Sequence, residues 1–215
     1  MAGGQCKFVI GFLNFVRSRG TGPSFESLAR FHIQTLRETF KISRATYLDM
    51  GKQIQCFGCG ALVNDITVRP HEYFGTTQGC WNIYGEILTK EYGEYGYPEL
   101  THRLTVDTYA IQHPGEPSRK SIQSVNIHLI SLFYIFKRDF NGKAATQKMS
   151  EILSKEPIFE WLAPPRPNGQ LTVIDVVQAV DKFDHEKRVK DWSVNVWDCW
   201  YSIHGDKIDK LIMNN

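Results

Sequence analysis

The sequence predicts a mainly α-helical bundle with an N-terminal zinc-knuckle-like Cys-x-x-Cys loop. Three observations predict it. Most of the chain after residue 78 falls into stretches whose apolar residues recur every three or four positions. Capping residues or Pro and Gly breakers separate those stretches. Ahead of them lies one tight cysteine turn, Cys56-Phe-Gly-Cys-Gly-Ala.

Residues 1–49 stand apart. They carry seven basic residues against Glu26, Glu38 and Asp49, a balance of +4 in a chain whose net charge is +2. An apolar run from Phe8 is preceded by too thin a basic region, and followed by no small-residue cleavage site, to be a signal peptide. A Gly-Thr-Gly-Pro turn precedes an expected helix, Phe25 to Phe40. Met50-Gly-Lys looks like an alternative start, so 1–49 is expected to be an extension outside the native fold. Residues 50–215 are expected to form a single helical domain with a metal-binding loop at 56–80.

Residues 51–78 form that loop, with a short strand at Leu62–Val68. Residues 79–93 read as a helix with Cys80 in its first turn, and residues 98–113 as the next, opened by Pro98. Pro114-Gly-Glu-Pro then breaks the chain. A helix starting at Ser118 or Ser121 and running to about Arg138 is apolar nearly all round, the mark of a bundle's buried centre. Lys143 to Ser154 is a shorter helix. Trp161 pins a proline-rich connector, 157–169, to the body. Thr172 and Asp175 give a capping-box pattern, and Asp184 is expected to cap a last helix from His185 to about Ile203. Its packing stripe is Val189, Trp192, Val196, Cys199, Trp200 and Ile203.

The cysteine turn carries the chemistry. Zinc takes four thiolate or imidazole ligands in a tetrahedron, and a Cys-x-x-Cys turn presents two sulfurs on one side of a loop. Cys56 and Cys59 supply that pair. Cys80 supplies a third sulfur from a helix N-terminus, where the dipole favours thiolate. The short link 94–97 makes the next helix antiparallel, which sets His113 beside Cys80. His102 falls roughly 15 Å along the hairpin at about 1.5 Å per residue. His113 is therefore favoured as fourth ligand over His102, with His71 as its rival because it lies between the cysteine turn and Cys80. Ligand softness points to Zn2+. Two unliganded thiols or a redox pair would also fit a lone Cys-x-x-Cys, although redox use usually accompanies a βαβ pattern that is absent here.

His102, Asp107 and His128 lie on helices expected to be neighbours, and such groups between facing helices can hold a catalytic metal. They are the catalytic candidates. The plainer alternative makes His128 a hydrogen-bonded core histidine and pairs Asp107 with Arg103 at i, i+4. No His-Glu-x-x-His, Gly-x-Ser-x-Gly or phosphate-binding template supports catalysis.

Composition narrows the class. Hydrophobic content of 42% and charged content of 22% are ordinary for a soluble globular protein. A charge of +2 without a basic-aromatic patch gives no reason to expect nucleic acid. No apolar run reaches the roughly 18 residues of a membrane span. Five cysteines, three of them suited to a metal, fit a reducing cytoplasm better than a disulfide framework.

Five blocks in order, Cys56-Phe-Gly-Cys-Gly-Ala, Gly79-Cys-Trp-Asn-Ile-Tyr-Gly-Glu, His102-Arg-Leu-Thr-Val-Asp-Thr-Tyr-Ala-Ile-Gln-His-Pro-Gly, Ser121-Ile-Gln-Ser-Val-Asn-Ile-His and Trp161-Leu-Ala-Pro-Pro, resemble a bacterial family catalogued only as a domain of unknown function, DUF5946. Leu171-Thr-Val-Ile-Asp-Val is similar too. The resemblance covers about Cys56 to Trp200, with Cys56, Cys59, Cys80, His102, His113 and His128 on the family pattern. It implies no activity. The expected function is a zinc-binding helical protein with a structural metal, acting as a binding or scaffolding module toward a protein or small molecule. The alternative is a metal-dependent hydrolase built on His102, Asp107 and His128.

Overall fold

The structure, a computed structural model, describes residues 52–66 and 74–213. The expectations for residues 1–49, and for His71, lie outside those residues. Within them the chain forms a two-stranded antiparallel hairpin, β1 (Gln53–Gln55) and β2 (Leu62–Asn64). Six helices follow: α1 (Gln78–Gly93), α2 (Glu99–Gln112), α3 (Arg119–Arg138), α4 (Gly142–Leu153), α5 (Val173–Val177) and α6 (Lys182–Met213). The protein is mainly helical, as predicted. β1, a bare Gln-Ile-Gln, has too little pattern to be seen in sequence. The expected strand from Leu62 stops at Asn64.

Polar side chains satisfy the free amide groups at most helix starts. The Thr77 hydroxyl accepts from the Cys80 amide and so fixes the first turn of α1. Ser118 and Ser121 form a capping box on α3, Asn141 caps α4, and Thr172 with Asp175 forms the anticipated box on α5. The start of α6 needs correction. Asp181 accepts from the Asp184 amide at 2.8 Å, so Asp184 lies inside the first turn, where it pairs with Arg188. The helix also runs ten residues past Ile203, which is 60% exposed, and Cys199 is only half-buried. The buried stripe is Val189, Trp192, Ser193, Val196, Trp200 and Ile208. Trp200, rather than its neighbour Cys199, occupies the inward position, because adjacent residues on a helix differ by about 100°.

α2 packs against α3, α4 and α6, while α1 rests on α5 and β2. Eleven of the fourteen residues of α2 are buried, so α2 shares the centre that sequence periodicity gave to α3 alone. Periodicity missed it because much of what α2 buries is polar: Thr101, His102, Arg103, Thr105, Asp107, Thr108 and Gln112. Beyond the Arg103–Asp107 pair that the spacing allowed, most of those groups are matched by partners on other elements. The connector is tied down in the same way. Gln112 Nε2 donates to the Asn168 and Leu171 carbonyls, Asn168 Nδ2 donates to the Ile111 carbonyl, and the Trp192 and Trp200 indoles donate to Gln112 and Asn168. Gly169 lets the connector lie flat here: its φ is +85°, and a Cβ would stand 2.8 Å from Val196. No described helix is long and apolar enough to cross a membrane.

Candidate metal centre

Cys56 and Cys59 sit on the tip of the β1–β2 hairpin, in a turn closed by Gly60 N donating to Cys56 O and Cys56 N donating to Ala61 O, both at 2.8 Å. Gly60 takes φ +77°, the left-handed region that glycine occupies without strain. The hairpin presses close to α2. A Cβ on Gly58 would fall 2.2 Å from the Gly75 carbonyl oxygen and 2.6 Å from His113 Cδ2, so only glycine fits. Gly75 N donates to His113 O at 3.0 Å, and Phe74 forms a bridge with Pro114. That bridge holds the start of α1 against the end of α2, the antiparallel arrangement expected from the short link.

Four side chains therefore converge. The ligand atoms of Cys56, Cys59, Cys80 and His113 all lie within 4.8 Å of one another. Cys59 Sγ is 3.8 Å from Cys80 Sγ, and Cys80 Sγ is 3.3 Å from His113 Nε2. A tetrahedral zinc with Zn–S arms of about 2.3 Å has sulfur–sulfur edges of about 3.8 Å and sulfur–nitrogen edges of about 3.6 Å. The sulfur pair is thus spaced as ligands of one ion.

The imidazole is oriented for the task. His113 Nδ1 lies 2.9 Å from the Tyr109 carbonyl oxygen, which can only accept, so Nδ1 carries a proton and Nε2 is the nitrogen turned to the sulfurs, able to ligate once it gives up its own proton. The Tyr109 ring stacks on the imidazole at 4.0 Å and on Tyr84 at 3.9 Å. Its hydroxyl lies 2.9 Å from Thr76 Oγ1 and 3.9 Å from Cys80 Sγ, and Thr76 Oγ1 is 3.8 Å from Cys56 Sγ. Tyr109 and Thr76 are neighbours of the cluster that sequence reading missed. Tyr109 was legible, one helical turn before His113; Thr76 was not.

The four groups are electrostatically coupled. Hydrogen bonds with Cys59 and Cys80 push the Cys56 thiol far down, while Cys56 and Cys80 push the Cys59 thiol far up. Burial works against charge on His113, but the neighbouring sulfurs of Cys56 and Cys80 outweigh it and hold its pKa at about 9. Three buried sulfurs cannot all ionise beside one another unless positive charge sits among them. Soft thiolates with one imidazole suit zinc.

The catalytic candidates separate. Asp107 Oδ1 meets His128 Nδ1 at 2.7 Å, and Arg103 holds the same carboxylate through Nε at 2.8 Å and through Nη2. Burial alone would raise the Asp107 pKa, but Arg103 and His128 hold it below the usual carboxylate range. His102 is elsewhere. Its Nδ1 meets Glu91 Oε2 at 2.7 Å, while His185 Nε2 and Thr105 Oγ1 reach Glu91 Oε1 at 2.9 and 2.6 Å. Glu91 is fully buried. Desolvation is outweighed there by His102 and His185, which bring its pKa down to about 2. His185 lies 94 positions from Glu91, and no local pattern announces that pairing. Among the described residues, the only group of three or more His, Cys, Asp or Glu that converges as metal ligands is the cysteine–histidine set.

A family of unknown function (DUF5946) matches residues 54–201, more than half of the chain. No curated protein and no solved structure matches it.

Proposed function

For a chain that belongs to a family of unknown function, we propose a reading built on the site itself: Cys56, Cys59, Cys80 and His113 bind one Zn2+ as a structural clasp, and residues 50–215 act as a binding or scaffolding module. The observation that carries it is the convergence of three sulfurs and one imidazole nitrogen within 4.8 Å. Four protein ligands leave no open position for water, which is the pattern of structural rather than catalytic zinc. The clasp would join three segments that already pack closely, the β1–β2 tip, the start of α1 and the end of α2. Three thiolates kept reduced suit a cytoplasmic setting.

The hydrolase reading has less support. It needs His102, Asp107 and His128 around one ion, whereas His102 pairs with Glu91, and Asp107 is already engaged by Arg103 and His128.

Elemental analysis of the purified chain tests the proposal. One zinc per chain is expected, retained on gel filtration and lost in Cys80→Ser together with the near-ultraviolet signature of the folded hairpin. A His71→Ala variant keeps its zinc, and a His113→Ala variant does not. A metal that survives both Cys80→Ser and His113→Ala would remove the reading.

A further inference from the structure

The four ligands are not equally protected, and the inequality has chemical consequences if the metal-site reading above holds. Cys56 is 1% exposed, and Cys80 and His113 are 0% exposed. Cys59 is half-buried, on a turn beside Phe57, which is 67% exposed, and between two glycines with no side chains to shield it. The neighbours differ as well. Cys56 Sγ has the Thr76 hydroxyl, Cys80 Sγ has the Tyr109 hydroxyl, and His113 has the Tyr109 carbonyl. Among the described residues no hydroxyl reaches Cys59 Sγ; what it touches are the other cysteine sulfurs, Cys80 Sγ at 3.8 Å.

Hydrogen bonds to a thiolate draw off charge and lower its nucleophilicity, and burial denies access to reagents. Both effects protect Cys56 and Cys80 and leave Cys59 open. We infer that Cys59 is a redox modification site: a hydroperoxide attacks it first, and Cys80 then resolves the product as a Cys59–Cys80 disulfide, which opens the clasp.

The chemistry balances. With its proton displaced as it would be in the zinc-loaded chain, the Cys59 sulfur attacks one peroxide oxygen, an S–O bond forms, the O–O bond breaks, and hydroxide leaves. Cys59 is then a sulfenic acid, oxidised by two electrons, and the peroxide has been reduced. The Cys80 thiolate attacks the Cys59 sulfur, the S–S bond forms and a second hydroxide leaves. Two of four ligands are then unavailable to a cation, while Cys56 and His113 remain. A thiol reductant returns both sulfurs. Closing the bond takes the sulfurs from 3.8 Å to about 2.05 Å. That movement falls on the exposed hairpin tip rather than on α1, which is anchored by its Thr77 cap.

The test uses the full chain carrying Cys6→Ser and Cys199→Ser, loaded with zinc. It is treated with hydrogen peroxide, quenched with an alkylating agent and mapped by peptide mass spectrometry, while a chromogenic indicator follows released metal. The expected result is one zinc released per disulfide, a Cys59–Cys80 linkage, and recovery with dithiothreitol. In parallel, limiting N-ethylmaleimide on the zinc-loaded protein labels Cys59 at least tenfold faster than Cys56 or Cys80. A Cys56–Cys59 linkage, equal labelling of the three, or zinc retained after oxidation overturns the inference while leaving the structural site standing. A chain that never holds metal overturns both.

Discussion

Two kinds of site in this molecule bury polar groups and resolve the cost in opposite ways. Around Glu91, a fully buried carboxylate receives His102, His185 and Thr105, so charge and donors close on one another. Around Asp107, Arg103 and His128 do the same. At the hairpin tip, three sulfurs meet a single imidazole, so the cluster offers more anionic positions than the chain has cations to match. The two carboxylate sites close with groups of the chain itself; the hairpin tip gathers four groups at a spacing that could hold a metal ion. The difference teaches that burial alone does not mark a site. A cluster becomes a candidate when its donors and acceptors cannot balance internally.

Removing the metal is expected to have the largest effect. A ligand held at a thousandfold above its Kd contributes about 4 kcal/mol, so a strong chelator should lower thermal stability by at least that amount in the wild type. The same chelator should leave the already metal-free Cys80→Ser variant unmoved. Equal melting with and without chelator would erase the contrast between the regions.

Asp107→Asn comes next. It keeps the shape but takes the carboxylate from the buried Arg103, and breaking a buried pair costs about 3–5 kcal/mol. Denaturant titration should show that loss with zinc stoichiometry unchanged. Loss of metal in this variant would mean the two regions are one.

Glu91 gives a pH test with a definite sign. Its folded pKa of about 2 lies below the value of 4.5 for a free glutamate. Its contribution, of the order of 3 kcal/mol, is therefore whole above the unfolded pKa and drains away as pH falls from there through about 2. The stability gap between wild type and Glu91→Gln should be flat above about pH 5 and narrow below it. A gap that widened on acidification would contradict the assigned pairing.

Tyr109→Phe is the mildest change. It keeps the ring stacked on His113 and removes only the hydroxyl shared with Thr76 and Cys80. Outer contacts of this kind are worth about tenfold to hundredfold in metal affinity. Competition with a chelating dye should register the lower end of that range without a change in fold.

Much of this was legible beforehand, and the reason is physical. That Cys56, Cys59, Cys80 and His113 converge followed from local geometry, a cysteine turn, a helix N-terminus and a short antiparallel link, each fixed within a few residues. The helices followed from their apolar spacing and caps. Glu91 with His185, and Gln112 with Asn168, are long-range pairings between helices or connector, and a one-dimensional pattern carries no trace of which distant polar groups will meet. Asp184 was misplaced as a cap because Asp181 offers the same side chain one turn earlier. Thr76 was overlooked because its role depends on Tyr109, 33 positions away.

X-ray absorption at the zinc edge of the purified, metal-bound chain addresses the central claim most directly. Three sulfur neighbours at about 2.3 Å and one nitrogen at about 2.0 Å are expected, with the nitrogen lost in His113→Ala. A shell dominated by oxygen and nitrogen, or a protein with no zinc edge at all, would contradict a clasp made of Cys56, Cys59, Cys80 and His113.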